Sequence, residues 1–350
     1  MYQLTHKAFE GSEKIWAPFT RHLVDTGLFA EFPMRIIDIG ARGGMSKRWE
    51  MYSPYVDLIG FEPDVEECER LNKLSPKDIE FSGRQTYYPT ALHRQSGDQT
   101  MYVTRVPGNA SFFKQNVPLL DRFQMWPVED PTTVLSTPTI KTIDLDTFVA
   151  HEEIDYVDFI KIDVEGSELA VLEGAERLIS GSVCGLITEV MFAEEYLGQP
   201  LFCDTDAYLK TLGFTLFELD LYRWRRKGWT DSKYVHPYEK GQVLCADALY
   251  LRDLPAELEK GAKFNDKDRI KVLKLASVAE VLDLQDFSVE LLANAEKIGL
   301  FGANETYEMI SLLRTKKKDI FNIARSAFRK IVPLFIRSKG RQLLDRFLSA

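Results

Sequence analysis

The sequence predicts an α/β fold: a doubly wound, Rossmann-like sheet of seven strands with a helical lead-in before it and a helical extension after it. Three observations carry this. From Met34 to about residue 252, short β-branched runs alternate with amphipathic segments, which is how parallel sheets covered by helices read. The first run ends in a glycine-rich turn, Gly40-Ala41-Arg42-Gly43-Gly44, and the second ends in an acid, Glu62. The chain has 350 residues, 45% of them hydrophobic and 28% charged, an ordinary globular composition that disfavours disorder, collagen and coiled coil.

The elements follow in order. Phe9, Trp16, Phe19 and Phe29 recur at loosely helical spacing and stop at Phe32-Pro33, where proline disfavours helix in the residue before it. The strands expected next are Arg35 to Ile39, Val56 to Phe61, Thr86 to Pro89, Val157 to Ile162, Cys184 to Glu189, Phe214 to Leu219 and Cys245 to Leu251. A helix is expected from Ser46. Asp64 followed by Glu67 reads as a capping box opening a helix that ends near Leu74. Ser167 precedes an apolar stripe of Leu169, Leu172, Ala175 and Ile179. Residues 92–140 interrupt the alternation: Asp98 to Arg105 read as a strand pair, and 107–138, rich in Pro, Asn and aromatics, as loops over the active face. After Pro255 the pattern is almost wholly helical, ending in an amphipathic stripe of Phe321, Ala324, Phe328, Ile331 and Phe335 interrupted at Pro333. The expected division is a lead-in at 1–33, a central domain at 34–253 and a helical, basic extension at 254–350.

Net charge is −9, which argues against a surface built for nucleic acid. It is unevenly spread: Arg314 to Arg346 hold eleven Lys and Arg against Asp319 and Asp345, a local +9, leaving −18 for the first 313 residues. Basic residues beside an apolar stripe suit a membrane surface or an anionic lipid. Packing against the core or a second subunit is the commoner use of such a stripe, and is the reading preferred. Cys68, Cys184, Cys203 and Cys245 are scattered without a C-x-x-C pair, against a disulfide framework or zinc knuckle. With no secretory leader pattern and no apolar run long enough to span a bilayer, a cytoplasmic protein is expected, at most peripheral to a membrane.

Chemistry enters at the first strand. Ile36 to Gly44 runs from strand into glycine turn, where backbone can approach a ligand closely, and Glu62 stands where an acid accepts hydrogen bonds from ribose hydroxyls. A nucleoside ligand is implied. S-adenosylmethionine suits the turn better than NAD, because Gly40, Gly43 and Gly44 do not make G-x-G-x-x-G. Asp38, two residues before the first glycine, would also oppose a pyrophosphate and suit an ammonium and sulfonium.

The order of motifs resembles the FkbM family of S-adenosylmethionine-dependent methyltransferases over roughly residues 34–252. Asp38-Ile39-Gly40-Ala41-Arg42-Gly43-Gly44 is similar to the family's first motif, which more often has Asn at the position of Arg42. Gly60-Phe61-Glu62-Pro63-Asp64 matches its Glu-Pro, Thr142-Ile143-Asp144 resembles its Thr-Leu-Asp box, and Phe159 to Glu168 matches its most diagnostic stretch nearly residue for residue. The resemblance implies a class I methyltransferase fold, a seven-stranded sheet with an antiparallel last strand, and O-methylation of sugars, glycans or natural products. Arg42 could reach either the cofactor carboxylate or an acceptor phosphate.

Transfer from a sulfonium requires that the protein place an acceptor and take its proton. Asp163 and Glu165 end the fourth strand, on the edge where such sheets bind ligands, and are the candidate catalytic pair; Asp38, Gly40, Arg42, Gly43 and Glu62 are the candidate cofactor residues. Glu189 ends the fifth strand on that edge and is assigned to the acceptor. The three acids could hold Mg or Ca, but no metal is expected, since spacing across strands is no motif. Arg223 and Trp224, within an apparent loop that interleaves aromatics and cations, suit a sugar ring with an anionic group. His236 is a further acceptor-side candidate, ahead of His93 and His151; Asn109 and Ser111 are weaker ones, and 112–126 a lid or core. Two rival functions remain: a non-catalytic cofactor-binding scaffold in a glycan assembly complex, and an NAD(P)-linked oxidoreductase, against which stands the lack of a Tyr-x-x-x-Lys after the fourth strand.

Overall fold

The computed structural model describes residues 16–44, 46–74, 83–124, 130–227, 240–259 and 268–314. Its main sheet has seven principal strands: β1 (Met34–Ile39), β2 (Val56–Phe61), β3 (Arg84–Tyr88), β4 (Phe159–Ile162), β5 (Gly185–Met191), β6 (Phe214–Arg226) and β7 (Gln242–Arg252). They lie in the order β3-β2-β1-β4-β5-β7-β6, and a two-residue strand, Phe123–Gln124, pairs beyond β6 at the edge. β1 to β5 are mutually parallel, whereas β7 runs antiparallel to both β5 and β6. This is the class I methyltransferase arrangement that the resemblance implied, with one short strand added.

Alternation along the strands builds two cores. Met34, Ile36, Leu58, Phe159, Ile187, Leu249 and Leu251 face one side, and Ile37, Ile39, Ile59, Ile160, Leu186 and Tyr250 the other. Central strands buried on both faces read as continuous apolar runs, which is why β1, β2, β4 and β5 sit within a residue or two of their expected bounds. β6 does not. It was expected to stop at Leu219 but continues to Arg226, because β7 begins at Gln242 and pairs as far as Trp224. The stretch read as a loop bearing Arg223 and Trp224 is therefore strand, and two register shifts along it bend the pair.

One face is covered by α3 (Leu145–His151), α4 (Glu168–Glu173), α5 (Glu176–Gly181) and α6 (Phe202–Thr211). The stripe after Ser167 is there, but split at Gly174, whose added Cβ would lie 2.3 Å from the His93 carbonyl oxygen. The opposite face takes α1 (Pro18–Asp25), α2 (Val65–Asn72), α7 (Asp268–Val281), α8 (Gln285–Lys297) and α9 (Ala303–Leu313). Asp64 caps α2, accepting from the Glu66 and Glu67 amides, but the expected box is not closed, because the Asp64 amide donates to Glu62 and the Glu67 carboxylate accepts from the Gly43 amide. From Ser46 comes only a six-residue 3-10 turn, Lys47–Tyr52, since Pro54 disfavours helix at Ser53. The room this leaves is filled by α7, whose residues from Val272 to Val281 are all buried.

Two buried polar side chains, Lys274 and Glu280, help to seat α7. Lys274 Nζ lies 2.8 Å from Asp158 Oδ2 and donates to the Pro33 carbonyl at 2.9 Å. The Glu280 carboxylate accepts from the Phe19 and Thr20 amides at 3.0 and 2.7 Å, capping α1, whose own N-cap Ala17 has no side-chain oxygen. Among the described residues no helix is long and apolar enough to cross a membrane. The basic stretch 315–350, with its amphipathic stripe, lies outside them.

Candidate active site

A cavity of about 1450 Å³ opens at the carboxyl ends of the parallel strands, over the switch point where β1 and β4 lead their chains to opposite sides. Its cofactor half is made by the β1 turn. Gly40 has φ +80°, and an added Cβ would come 1.8 Å from the Asp163 carbonyl oxygen, so only glycine lets β1 turn this close to the end of β4. Gly40 and Ala41 donate backbone N–H bonds to the Phe61 carbonyl, tying the turn to β2. Glu62, buried at the end of β2, accepts from the Asp64 amide at 2.9 Å, and burial raises its pKa. Arg42 turns along the wall rather than into the cavity centre: Nη2 is 2.7 Å from Asp64 Oδ2 and 3.6 Å from Glu62 Oε1. Its charge therefore steadies the acid expected to meet a ribose. The Gly43 amide donates to Glu67.

Between the two halves stands Lys161 of β4, register neighbour of Asp38 on β1. Its Nζ is 3.1 Å from Asp163 Oδ2 and 3.6 Å from Asp38 Oδ1. Burial alone would lower the lysine pKa; the carboxylates of Asp163 and Asp38 more than reverse that and hold it above its ordinary value. Burial pushes Asp38 up to about 6 against the pull of Lys161.

The other half is acidic. Asp163 and Glu165 follow β4, Glu189 lies in β5, and Asp247 of β7 is its register partner. Glu165 and Gly166 take positive φ, +57° and +100°, and the buried Glu168 carboxylate holds this turn by accepting from the Val164 and Gly166 amides. Ser111 Oγ donates to the Glu165 carbonyl at 2.6 Å, and the Tyr196 hydroxyl to the Glu165 carboxylate. Tyr222 donates to Asp247 Oδ2 at 2.6 Å. Burial, then the neighbouring carboxylates, drives the pKa of Glu165 and of Glu189 well above the usual range. Asp247 is pushed up to about 6 and Glu195 to about 7, burial again being the main cause.

Asp38, Gly40, Arg42, Gly43, Glu62, Asp163, Glu165, Glu189 and Trp224 thus share one cavity, together with Asn109 and Ser111 of the loops expected over this face. Arg223 is on β6 but not on that wall, and neither are His93 and His151. His236 lies outside the described residues, as does Trp126 of the expected lid. Sequence reasoning missed Lys161, Asp247, Glu195 and Tyr196. The first two left a signal, since Lys161 is the lone charge of β4 and Asp247 interrupts the apolar run from Val243 to Leu251 of β7; Glu195 and Tyr196 sit in the irregular segment after β5, where spacing says nothing.

The family model described as "Methyltransferase FkbM domain" matches residues 38–216, from the acid of β1 into β6. The chain belongs to the FkbM methyltransferase family. No curated protein sequence matches the chain significantly. Among solved structures, the FkbM methyltransferase from Methylobacillus flagellatus is 18% identical, covering 63% of this chain and 43% of its own, with a TM-score of 0.36. Our FkbM chain thus spans less than half the length of that structure. Magnesium protoporphyrin IX methyltransferase from Synechocystis, solved with S-adenosylmethionine, is 9% identical over 71% of this chain and 88% of its own, TM-score 0.32. The N-terminal domain of EvdMO1, solved with S-adenosylhomocysteine and D-fucose, is 9% identical over 69% and 84%, TM-score 0.31. The fold assignment of this FkbM domain rests on its strand order.

Proposed function

We propose that this FkbM-family methyltransferase uses S-adenosylmethionine to methylate a hydroxyl of a saccharide, glycan or related natural product. The observation that carries the reading is the meeting in one cavity of the β1 glycine turn and Glu62 with the acids Asp163, Glu165, Glu189 and Asp247, joined at Asp38 and Lys161. The β1 half fits the cofactor: Gly40 lets the turn close against β4, Gly43 has open space where a side chain would stand, Glu62 offers a buried carboxylate to ribose hydroxyls, and Asp38 is a buried acid whose Oδ1 lies 3.6 Å from Lys161 Nζ. S-adenosylmethionine supplies the electrophilic methyl. The chain's own residues do the rest. Asp163 and Glu165 orient the acceptor hydroxyl and the carboxylate cluster takes its proton, while the Asn109 to Ser111 segment narrows the cavity over that half. The cavity volume exceeds what the nucleoside half alone requires, leaving room for a ring-sized acceptor against Tyr222 and Trp224.

Calorimetric titration with S-adenosylhomocysteine, NAD and NADP tests the reading. Binding of S-adenosylhomocysteine alone is expected, weakened about tenfold or more in Glu62→Ala, which loses ribose hydrogen bonds at about 1 kcal/mol or more each. Binding of NAD instead, or of no nucleoside, would replace it with the oxidoreductase or the scaffold.

A further inference from the structure

Asp163 and Glu165 follow β4 and Glu189 stands in β5, and one oxygen from each lies within 4.8 Å of the others. Oxygens sharing one Ca²⁺ at about 2.3–2.6 Å are at most about 5 Å apart, so the three carboxylates stand close enough for small side-chain adjustments to close them on one ion. No spacing in the sequence announces the set, because its members come from two strands.

A second observation is independent of that cluster. Gln115 Oε1 and Glu195 Oε1 are buried acceptor oxygens without a hydrogen-bond partner. Gln115 and Glu195 are only 5% and 7% exposed, both line the same cavity, and the Glu195 charge is felt at Glu165. Such oxygens are costly to leave unmet. Of the donors nearby, Tyr196 is engaged with Glu165, Tyr222 with Asp247, and Lys161 with Asp163 and Asp38, while the buried Gln199 Nε2 has no partner. Among the described residues no lysine or arginine forms an ion pair with Glu165, Glu189 or Glu195.

We propose that Asp163, Glu165 and Glu189 bind one divalent cation of the hard, oxygen-preferring kind, Mg²⁺, Mn²⁺ or Ca²⁺, with Glu195 and Gln115 accepting from its water. Three carboxylate oxygens and no imidazole or thiolate select that class over zinc or copper. The ion's role rests on the function proposed above: bound to an acceptor hydroxyl, it lowers the pKa of that hydroxyl and lets a weakly basic carboxylate remove the proton.

The test is Mn²⁺ binding followed by electron paramagnetic resonance, using the whole chain stripped with EDTA and dialysed. One Mn²⁺ per chain is expected, with affinity at least tenfold weaker in Glu189→Gln and in Asp163→Asn, and unchanged in Glu66→Gln, an exposed acid on α2. Circular dichroism and an S-adenosylhomocysteine titration on the same samples establish that each variant folds; should one fail, the other decides. Absence of stoichiometric Mn²⁺, or equal affinity in wild type and both variants, overturns the site. If S-adenosylhomocysteine still binds, only the cation site falls; if neither binds, the proposed function falls with it.

Discussion

Lys161 of β4 and Asp163 just after it show how much two neighbouring side chains decide. They are two residues apart on the same edge, and the ammonium sits between Asp163 and the more deeply buried Asp38. Lys161 Nζ is shared between the two carboxylates, and Asp163, the more exposed of the two acids, stands at the boundary between cofactor and acceptor. Asp163→Asn keeps the shape and the bond to Lys161 while removing the charge. In an assay with a competent hydroxyl acceptor, kcat is expected to fall by about 100-fold or more, the usual size of a general-base contribution, with S-adenosylhomocysteine affinity changed by much less. An unaffected kcat would move the proton acceptor to Glu189 or Glu195. Several of these residues were visible beforehand because motif and strand end coincide: Asp38, Gly40 and Glu62 each sit where a strand stops. Lys161 was passed over because a cation inside an apolar run carries no spacing, and its meaning appears only when β1 is laid beside β4.

At the scale of elements, the central strands were legible because burial on both faces leaves an unbroken apolar run, and α2 because Asp64 caps it. The far end of β6 was not. Its alternation of aromatics and cations belongs to an edge strand whose partner starts more than a dozen residues later, so the pairing that makes it a strand is invisible locally. The helix expected after Ser46 failed for a different reason: Pro54 limits it to a six-residue 3-10 segment, and the same face of the sheet is covered by α7, which arrives from more than 200 residues away in the sequence. That helix is fixed by a buried ion pair. Replacing Lys274 with Met leaves the Asp158 carboxylate, also bonded to the Arg35 amide at 2.9 Å, without its cation. Urea denaturation is expected to show a loss of about 3–5 kcal/mol, the usual cost of orphaning one partner of a buried pair. The double variant with Asp158→Asn should recover part of it; no recovery would mean that Lys274 contributes through packing alone.

Taken whole, the molecule gathers anionic groups around one mouth and keeps them there by burying them. The consequence is a pH dependence with a definite sign. Asp247, near 6, and Glu195, near 7, titrate above their unfolded values, so the native chain holds more protons than the unfolded one between about pH 4 and 7. Stability from these groups is complete below their unfolded pKa and lost as pH rises through 6 to 7. The melting temperature of the ligand-free protein is therefore expected to be higher at pH 5 than at pH 8, and the slope shallower in Glu195→Gln. A melting temperature that climbs steadily from pH 5 to pH 8 would contradict the assignment.

The covering of the sheet by α1 on one hand and α7 to α9 on the other also sets a timetable for synthesis. When residue 252 emerges from the ribosome, all seven principal strands exist, yet Phe159, Ile187, Leu249 and Leu251 still have no α7 or α8 to pack against. The nascent chain must carry that bare apolar surface until about sixty more residues have been made, an interval in which premature association competes with folding and a chaperone has something to hold. The cavity, whose described lining residues all precede residue 250, thus waits for its stability on a later part of the chain whose described residues do not line it.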